Sequence, residues 1–377
     1  MHELQEIVDA ARRARQAGEP AILATVVRVT GSAYRRPGAR MLLPRGGEGV
    51  GVVSGGCLES DLAERAADVL ESGRPRTVVY DMRSPDDVVW GLGLGCNGEV
   101  RVLLERLDPD READHLAFLE RCLRERRPGV VATVFAGEGP LAAAVGRRLT
   151  LDDRGRPGGS AADDPLAASL LEDAREALAE RRSSVRDYDL GPATAQAFLE
   201  YVPPVVSLLV FGAGGDACPL VGQARRLGWR VTVADDRPAY ARPDRFPEAD
   251  AVVRVRFDAL DRSAPPIDAH TPVVVMTHHF LHDLELLRFL LPTEAPYLGL
   301  LGPRQRYENL LAELARQGVS PAAESLARVF GPVGIDIGAE TPEEIALAAV
   351  AEIRAVLSGR AAGFLRDRRA PLHEGPR

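Results

Sequence analysis

The stretch from Val206 to Ala217 constrains this chain more than any other. An apolar, strand-like segment, Val206 to Phe211, breaks into Gly212-Ala213-Gly214-Gly215-Asp216-Ala217. A helical pattern then runs to about Leu227, and a second strand-like segment, Arg230 to Ala234, follows. A Gly-x-Gly-x-x-Ala turn carries weight in this setting, between a strand and a helix. Gly212 permits the tight turn, Gly214 lets the backbone approach a phosphate, and Ala217 allows close helix–sheet packing. The helix N-terminus offers free N–H groups and a positive dipole end to an anion. Asp235, 23 residues past Gly212, sits at the end of the second strand and can accept hydrogen bonds from ribose hydroxyls. Asp216 works against a phosphate, because a carboxylate at a helix start repels an anion unless it points away or caps the helix.

Strand-like runs recur at Ala251 to Val255, Val273 to Met276 and Tyr297 to Leu301. Helical patterns fit Leu284 to Leu291, Arg304 to Arg316 and Pro342 to Leu357. Alternating strands and helices imply a doubly wound parallel sheet, so residues 201–358 read as a Rossmann-like domain. Tyr201-Val202-Pro203-Pro204 marks its start, and 359–377 reads as a flexible tail. At 377 residues the chain is too long for one core, and residues 1–200 read as a separate α/β domain. That domain opens with helical spacing over 2–17 and a buried strand at 21–27. A helix is expected from about Cys57 to Leu70. No internal repeat is evident.

Composition excludes several functions. The net charge of −8 argues against nucleic acid as a partner, because a phosphate backbone needs a basic surface. Every basic residue besides histidine is Arg, so Schiff-base and Walker-type lysine chemistry is impossible. Four Cys in a chain of this length make no disulfide scaffold. No apolar run approaches the roughly 20 residues of a membrane span, and the first ten residues lack the apolar stretch of a secretory signal. A cytoplasmic protein with free thiols is expected.

Two of those thiols lie among glycines. Ser54-Gly55-Gly56-Cys57-Leu58-Glu59 falls at a strand-to-helix turn, and Gly91-Leu92-Gly93-Leu94-Gly95-Cys96-Asn97-Gly98 is a glycine-dense loop. Thiolates are soft ligands suited to sulfur-rich metal centres, so Cys57 and Cys96 are the candidate metal ligands. Gly55 and Gly56 can leave N–H groups open to a phosphate, and Glu59 is near enough in sequence to move a proton or to ligate. With no Cys-x-x-Cys pair, a closed zinc site is not expected. Arg35, Arg36 and Arg40 form a basic loop able to attract an anion. Thr277-His278-His279-Phe280-Leu281-His282-Asp283 follows a strand, where ligands of open α/β sheets bind. His278 and His282 share a face if that segment is helical.

Four stretches, taken in order, resemble the xanthine dehydrogenase accessory factor family, XdhC/CoxI. They are Gly31-Ser32-Ala33-Tyr34-Arg35-Arg36-Pro37-Gly38-Ala39, Ser54 to Glu59, Leu94 to Gly98, and the C-terminal half with Tyr297 to Gly302 and Gly334 to Ala346. The resemblance implies a chaperone rather than an enzyme. Such a protein binds molybdenum cofactor (molybdopterin), protects it, supports its sulfuration and inserts it into xanthine dehydrogenase or a related molybdenum hydroxylase. It also implies a cysteine desulfurase partner and self-association as a homo-oligomer. The cofactor-binding set would be Arg35, Arg36, Gly55, Gly56, Cys57, Glu59 and Cys96, with Gly212, Gly214, Ala217, Asp235 and His278 in the second domain. The alternative is an NAD(P)-dependent oxidoreductase with an interdomain substrate site. This chain departs from the family pattern where Gly215-Asp216 stands for the usual His-Val and Asn97 for Gly. Asn still tolerates a left-handed backbone.

Overall fold

A computed structural model describes residues 2–45, 48–82, 98–111, 113–161 and 166–369. The chain divides into two compact units, Met1–Pro204 and Val205–Arg377.

The first unit runs α1 (His2–Gln16), β1 (Ala21–Gly31), β2 (Arg40–Pro44), β3 (Val50–Gly51), α2 (Glu59–Ser72), β4 (Arg76–Asp81) and β5 (Gly98–Leu107). It continues as α3 (Asp114–Glu125), β6 (Gly129–Gly137), β7 (Arg148–Asp152), β8 (Pro157–Gly158), α4 (Ala167–Glu180), β9 (Ser184–Asp189) and β10 (Thr194–Val202). These strands form two antiparallel sheets of identical topology, β3-β2-β1-β5-β4 and β8-β7-β6-β10-β9. Strand periodicity decides what each face meets. Ile22, Ala24 and Val26 pack with Leu62, Ala66 and Val69 of α2, while Val27 and Leu103 meet Phe135 and Phe198 of the other sheet. The second sheet does the same, with Val130, Ala132 and Val134 against Leu170 and Ala174 of α4. The unit is thus a helix–sheet–sheet–helix stack, and each fully buried Leu or Val in it contributes about 1.5–3 kcal/mol.

The sequence reading found no repeat; the structure corrects it. From β1 to β4 every element recurs 108 positions later, to within two residues at its ends, as β6 to β9. The correspondence reaches single residues. Gly31, Gly38 and Gly51 have positive φ, and so do Gly139, Gly146 and Gly159. Arg40 answers to Arg148, Leu58 to Leu166, and Tyr80-Asp81 to Tyr188-Asp189.

His115 lies buried on α3, and its Nε2 finds no hydrogen-bond partner. Burial, and then the guanidinium groups of Arg148 and Arg40, push its pKa well below the ordinary imidazole range. The unfolded chain therefore binds a proton that the folded chain refuses. Stability is full above the free imidazole pKa, near 6.5, and falls below it by up to about 1.4 kcal/mol per pH unit. Replacing His115 with Ile, the residue 108 positions earlier at Ile7, should flatten that dependence in urea titrations between about pH 6.5 and pH 5. An unchanged slope would mean that another group sets it.

The second unit alternates strands and helices: β11 (Ser207–Phe211), α5 (Ala217–Arg226), β12 (Arg230–Asp235), β13 (Ala251–Arg254), α6 (Leu260–Ser263), β14 (Val273–Val275), α7 (Phe280–Leu290), β15 (Leu298–Leu300), α8 (Arg304–Arg316), α9 (Ala323–Leu326), β16 (Val329–Phe330) and α10 (Pro342–Leu357). The sheet is parallel, ordered β13-β12-β11-β14-β15-β16, and is the expected doubly wound Rossmann-like arrangement. Its strands are nearly all apolar because helices cover both faces. One core holds Leu208, Val210 and Val231 with α5 and α10; the other holds Leu209, Phe211 and Val275 with α7 and α8. The strand order reverses between β11 and β14, the position at which such sheets open a crevice.

Candidate functional site

In the first unit, pairing gathers the singled-out loops at one end of the first sheet. Gly31 pairs with Gly98 and Asp81 with Glu99, so β1 ends where β5 begins and β4 ends. Gly51 pairs with Met41, so β3 ends where β2 begins, toward that same end. Two connections therefore leave together, 32–39 and 52–58, beside the strand ends Asp81 and Gly98. The expected ligand Cys96 falls on 83–97, outside the described residues.

The first two connections touch. A Cβ built on Gly55 would lie 3.8 Å from the Tyr34 ring. Ser54 organises the second. Its Oγ accepts the backbone N–H groups of Gly56, Cys57 and Leu58, each at 3.1 Å, and donates to the Glu59 carboxylate. Glu59 also accepts the Ser54 N–H at 2.9 Å. Partial burial would raise the Glu59 pKa, but these hydrogen bonds outweigh it and hold the carboxyl below its ordinary range. Of the two glycine N–H groups that the sequence offers to a phosphate, that of Gly56 is thus already answered from within, and Glu59 is part of the brace. Helix α2 begins at Glu59, two residues later than expected. The Cys57 sulfur is left half-buried at the mouth of the turn, 3.5 Å from Ser54 Oγ. Cys122 and Cys218 are also free, but burial pushes the Cys122 thiol up to about 12 and raises that of Cys218.

The arginines of the 32–39 loop divide by role. Arg40 is buried and bonds both carboxylate oxygens of Glu200. Arg35 pairs with Glu3 of α1. Arg36 is exposed and forms no ion pair among the described residues. Tyr34 is 67% exposed, so one face of its ring is open. Beside them lies a cavity of about 480 Å³, lined by Ile7, Tyr34, Arg35, Arg36, Glu200 and Tyr201 among others. The site's metal-ligand expectation rests on Cys57 and Cys96, of which only Cys57 falls in the described part. Among the described residues no three His, Cys, Asp or Glu side chains converge as a metal cluster.

In the second unit, Gly212, Gly214 and Ala217 form the turn between β11 and α5. Gly212 has φ +114°, and a Cβ there would lie 2.4 Å from the Met276 carbonyl oxygen. Asp235 is 1% exposed. It accepts the Ala213 N–H at 2.7 Å, and Arg237 binds both its oxygens. Burial would raise its pKa; Arg237 and the Ala213 N–H hold it below the ordinary range. Its carboxylate is therefore engaged inside the protein rather than offered to a ribose. Asp216 does not cap α5. Its Oδ1 lies over Gly214, and its Oδ2 sits 2.7 Å from His278 Nε2. His278 has φ +59°, an uncommon conformation for a residue with a side chain. Buried Thr277 and Asp283, with Arg306, anchor the segment on which it sits. The expected His278–His282 face does not form. Helix α7 starts at Phe280, and His282 packs on His279 and Phe257.

Known proteins match this arrangement along most of its length. The "XdhC and CoxI family" model matches residues 14–81 and again 122–189, and the "XdhC Rossmann domain" model matches 208–353. A protein of Bacillus subtilis (strain 168), described as a probable xanthine dehydrogenase subunit, is 36% identical over 335 residues, covering 89% of this chain and 92% of the relative. The chain belongs to the XdhC and CoxI family. Another relative, "Molybdenum cofactor insertion chaperone PaoD" of Escherichia coli (strain K12), is 26% identical over 91% of this chain and 85% of its own. A crystal structure from Bacillus halodurans, described as that of a xanthine dehydrogenase, superposes with a TM-score of 0.74 at 32% identity, covering 95% of this chain and 98% of that one. The double match of the XdhC and CoxI model falls on the two structural repeats, displaced by the same 108 residues.

Across that displacement the repeats have diverged where the XdhC-type motifs lie. Tyr34, Arg35 and Arg36 correspond to Ala142, Ala143 and Ala144. Ser54 to Cys57 correspond to Ala162-Asp163-Asp164-Pro165, and Glu59 to Ala167. The first repeat alone keeps the sulfur and the exposed cation. Sequence reading missed this asymmetry, although identical residues 108 apart carried the signal.

Proposed function

We propose that this chain holds the molybdenum cofactor as cargo and delivers it to a xanthine dehydrogenase-type molybdenum hydroxylase. The observation that supports this best is the convergence at one end of the first sheet. There an exposed cation (Arg36), an open aromatic face (Tyr34) and a half-buried sulfur (Cys57) share neighbouring loops, beside the strand ends Asp81 and Gly98 that flank the stretch bearing Cys96. The cargo is an anionic pterin with a phosphate, a dithiolene and a molybdenum centre. Its chemistry calls for such a set: a cation for the anion, a flat apolar surface for the pterin, and soft sulfur for the metal. The cavity volume lies within the roughly 300–1,000 Å³ of small-molecule sites. The relatives' names point the same way. Cys57 is the residue assigned to the molybdenum end, in a reducing cytoplasm that keeps the thiol free. Support of cofactor sulfuration, with a cysteine desulfurase as donor, extends the same reading, as does self-association. The oxidoreductase alternative gains nothing from Asp235, whose oxygens are already engaged.

The test is co-expression in a host that makes the cofactor, anaerobic purification, and fluorescence of the released, oxidised pterin. Wild type should carry pterin in proportion to chain, and Cys57→Ser roughly tenfold less, equivalent to about 1.4 kcal/mol of lost binding. Pterin absent from wild type, or unchanged in Cys57→Ser, would sink the assignment.

A further inference from the structure

The two repeats of the first unit exchange a reciprocal pair of buried ion pairs. Arg40, at the start of β2, reaches across to Glu200 on β10 of the second repeat. Arg148, its counterpart at the start of β7, reaches back to Glu105 on β5 of the first. Each arginine also donates to the carbonyl of the glycine two residues before it, Arg40 to Gly38 at 2.8 Å and Arg148 to Gly146 at 3.2 Å. Each glycine sits at positive φ and donates its own N–H to the adjacent strand, Gly38 to Val26 and Gly146 to Val134. Both pairs are bidentate, the geometry that adds direction to charge. As structural devices the two are equivalent.

What they hold is different. The Arg148–Glu105 pair fixes the end of the 138–147 connection, which folds inward and buries Leu141 and Ala144. The Arg40–Glu200 pair fixes the end of the 32–39 loop, which turns Tyr34 and Arg36 outward. Each glutamate also presses on its loop's glycine, a Cβ on Gly38 coming within 3.1 Å of Glu200 Oε1 and one on Gly146 within 3.2 Å of Glu105 Oε1, so the difference lies in what the two loops present. We propose that Glu200 is a positioning residue for the ligand site, a strut from the second repeat that sets where Tyr34 and Arg36 of the first are presented. This rests on the reading of that loop as the cofactor site. It gives the second repeat, whose own loops lack the counterparts of Tyr34, Arg36 and Cys57, a part in binding.

The symmetry supplies the control. Glu200→Gln and Glu105→Gln each neutralise one member of an equivalent pair, so a purely structural role predicts equal effects. Two readouts separate them. Trypsin cleavage after Arg35, mapped by mass, reports how firmly the loop is held and needs no ligand. Pterin retained after co-expression reports binding. With each variant corrected for its own loss of global stability by urea titration, Glu200→Gln should speed cleavage at Arg35 about tenfold and cut pterin retained per folded chain by a similar factor, while Glu105→Gln leaves both near wild type. Equal cleavage in the two variants overturns the proposal. So does a rise in pterin with Glu200→Gln, which would mean that the carboxylate only offsets the Arg40 charge. If wild type carries no pterin while cleavage still separates the variants, the positioning role stands and the cofactor reading falls.

Discussion

Arg148→Ala should remove about 3–5 kcal/mol from the stability of the first unit, the usual penalty for breaking a buried ion pair. Arg148 and Glu105 are 8% and 6% exposed, and both guanidinium nitrogens that face Glu105 bond it. The loss is large because the change strands a carboxylate, not because the pair itself is strongly favourable. Taking two charges out of water costs several kcal/mol, and their attraction only roughly repays it. The double variant Arg148→Leu/Glu105→Leu, which removes both charges and fills the space, should therefore recover most of the stability, to within about 1–2 kcal/mol of wild type. Urea titration by circular dichroism reads both, following the transition of the first unit separately from that of the second. A single variant that loses under about 1 kcal/mol would show the pair to be screened by water.

Asp216→Gly should increase affinity for ADP-ribose at least tenfold over wild type, by calorimetry. In a dinucleotide-binding turn a pyrophosphate lies against the second glycine. Here the Asp216 carboxylate lies there instead, over Gly214 and tied to His278. Two unit charges about 4 Å apart attract or repel by about 4 kcal/mol at an effective dielectric near 20. Solvent at this partly exposed turn weakens that, and tenfold, or about 1.4 kcal/mol, is what remains as a floor. Asp216→Asn, which keeps the shape and removes the charge, should move in the same direction. Equal affinities in all three proteins would show that the carboxylate is no barrier.

The second unit was legible because its signals are local. An apolar strand, two glycines and a helix follow one another within a dozen residues, and the geometry of that turn is fixed by those residues alone. Side-chain partnership was not legible. Asp235 reads as a ribose acceptor until Arg237, two positions on, is seen to close over it. Asp216 and His278 meet across 62 residues of sequence, and only the parallel pairing of β11 with β14 brings them together. In the first unit the motif around Cys57 was visible, but its brace was not. Ser54 Oγ takes three N–H groups, among them that of Gly56, which the sequence had seemed to free. The repeat escaped notice because what survives across 108 residues is not a contiguous motif. It is a scatter of turn glycines, the buried arginine, a Tyr-Asp pair and a few core positions, most of them serving a conformation or a burial.

Duplication within one chain also sets valency. Two identical copies related by a dyad would present two equal mouths, and a recipient enzyme could engage either. Fused and diverged, the pair offers one mouth and one blind face on the same scaffold. If the first repeat holds the cargo as proposed, the ratio of cargo to chain is one and delivery has a direction: a partner approaches the first repeat, while the second, away from Glu200 and Tyr201 at the cavity, is free to change its outer surface.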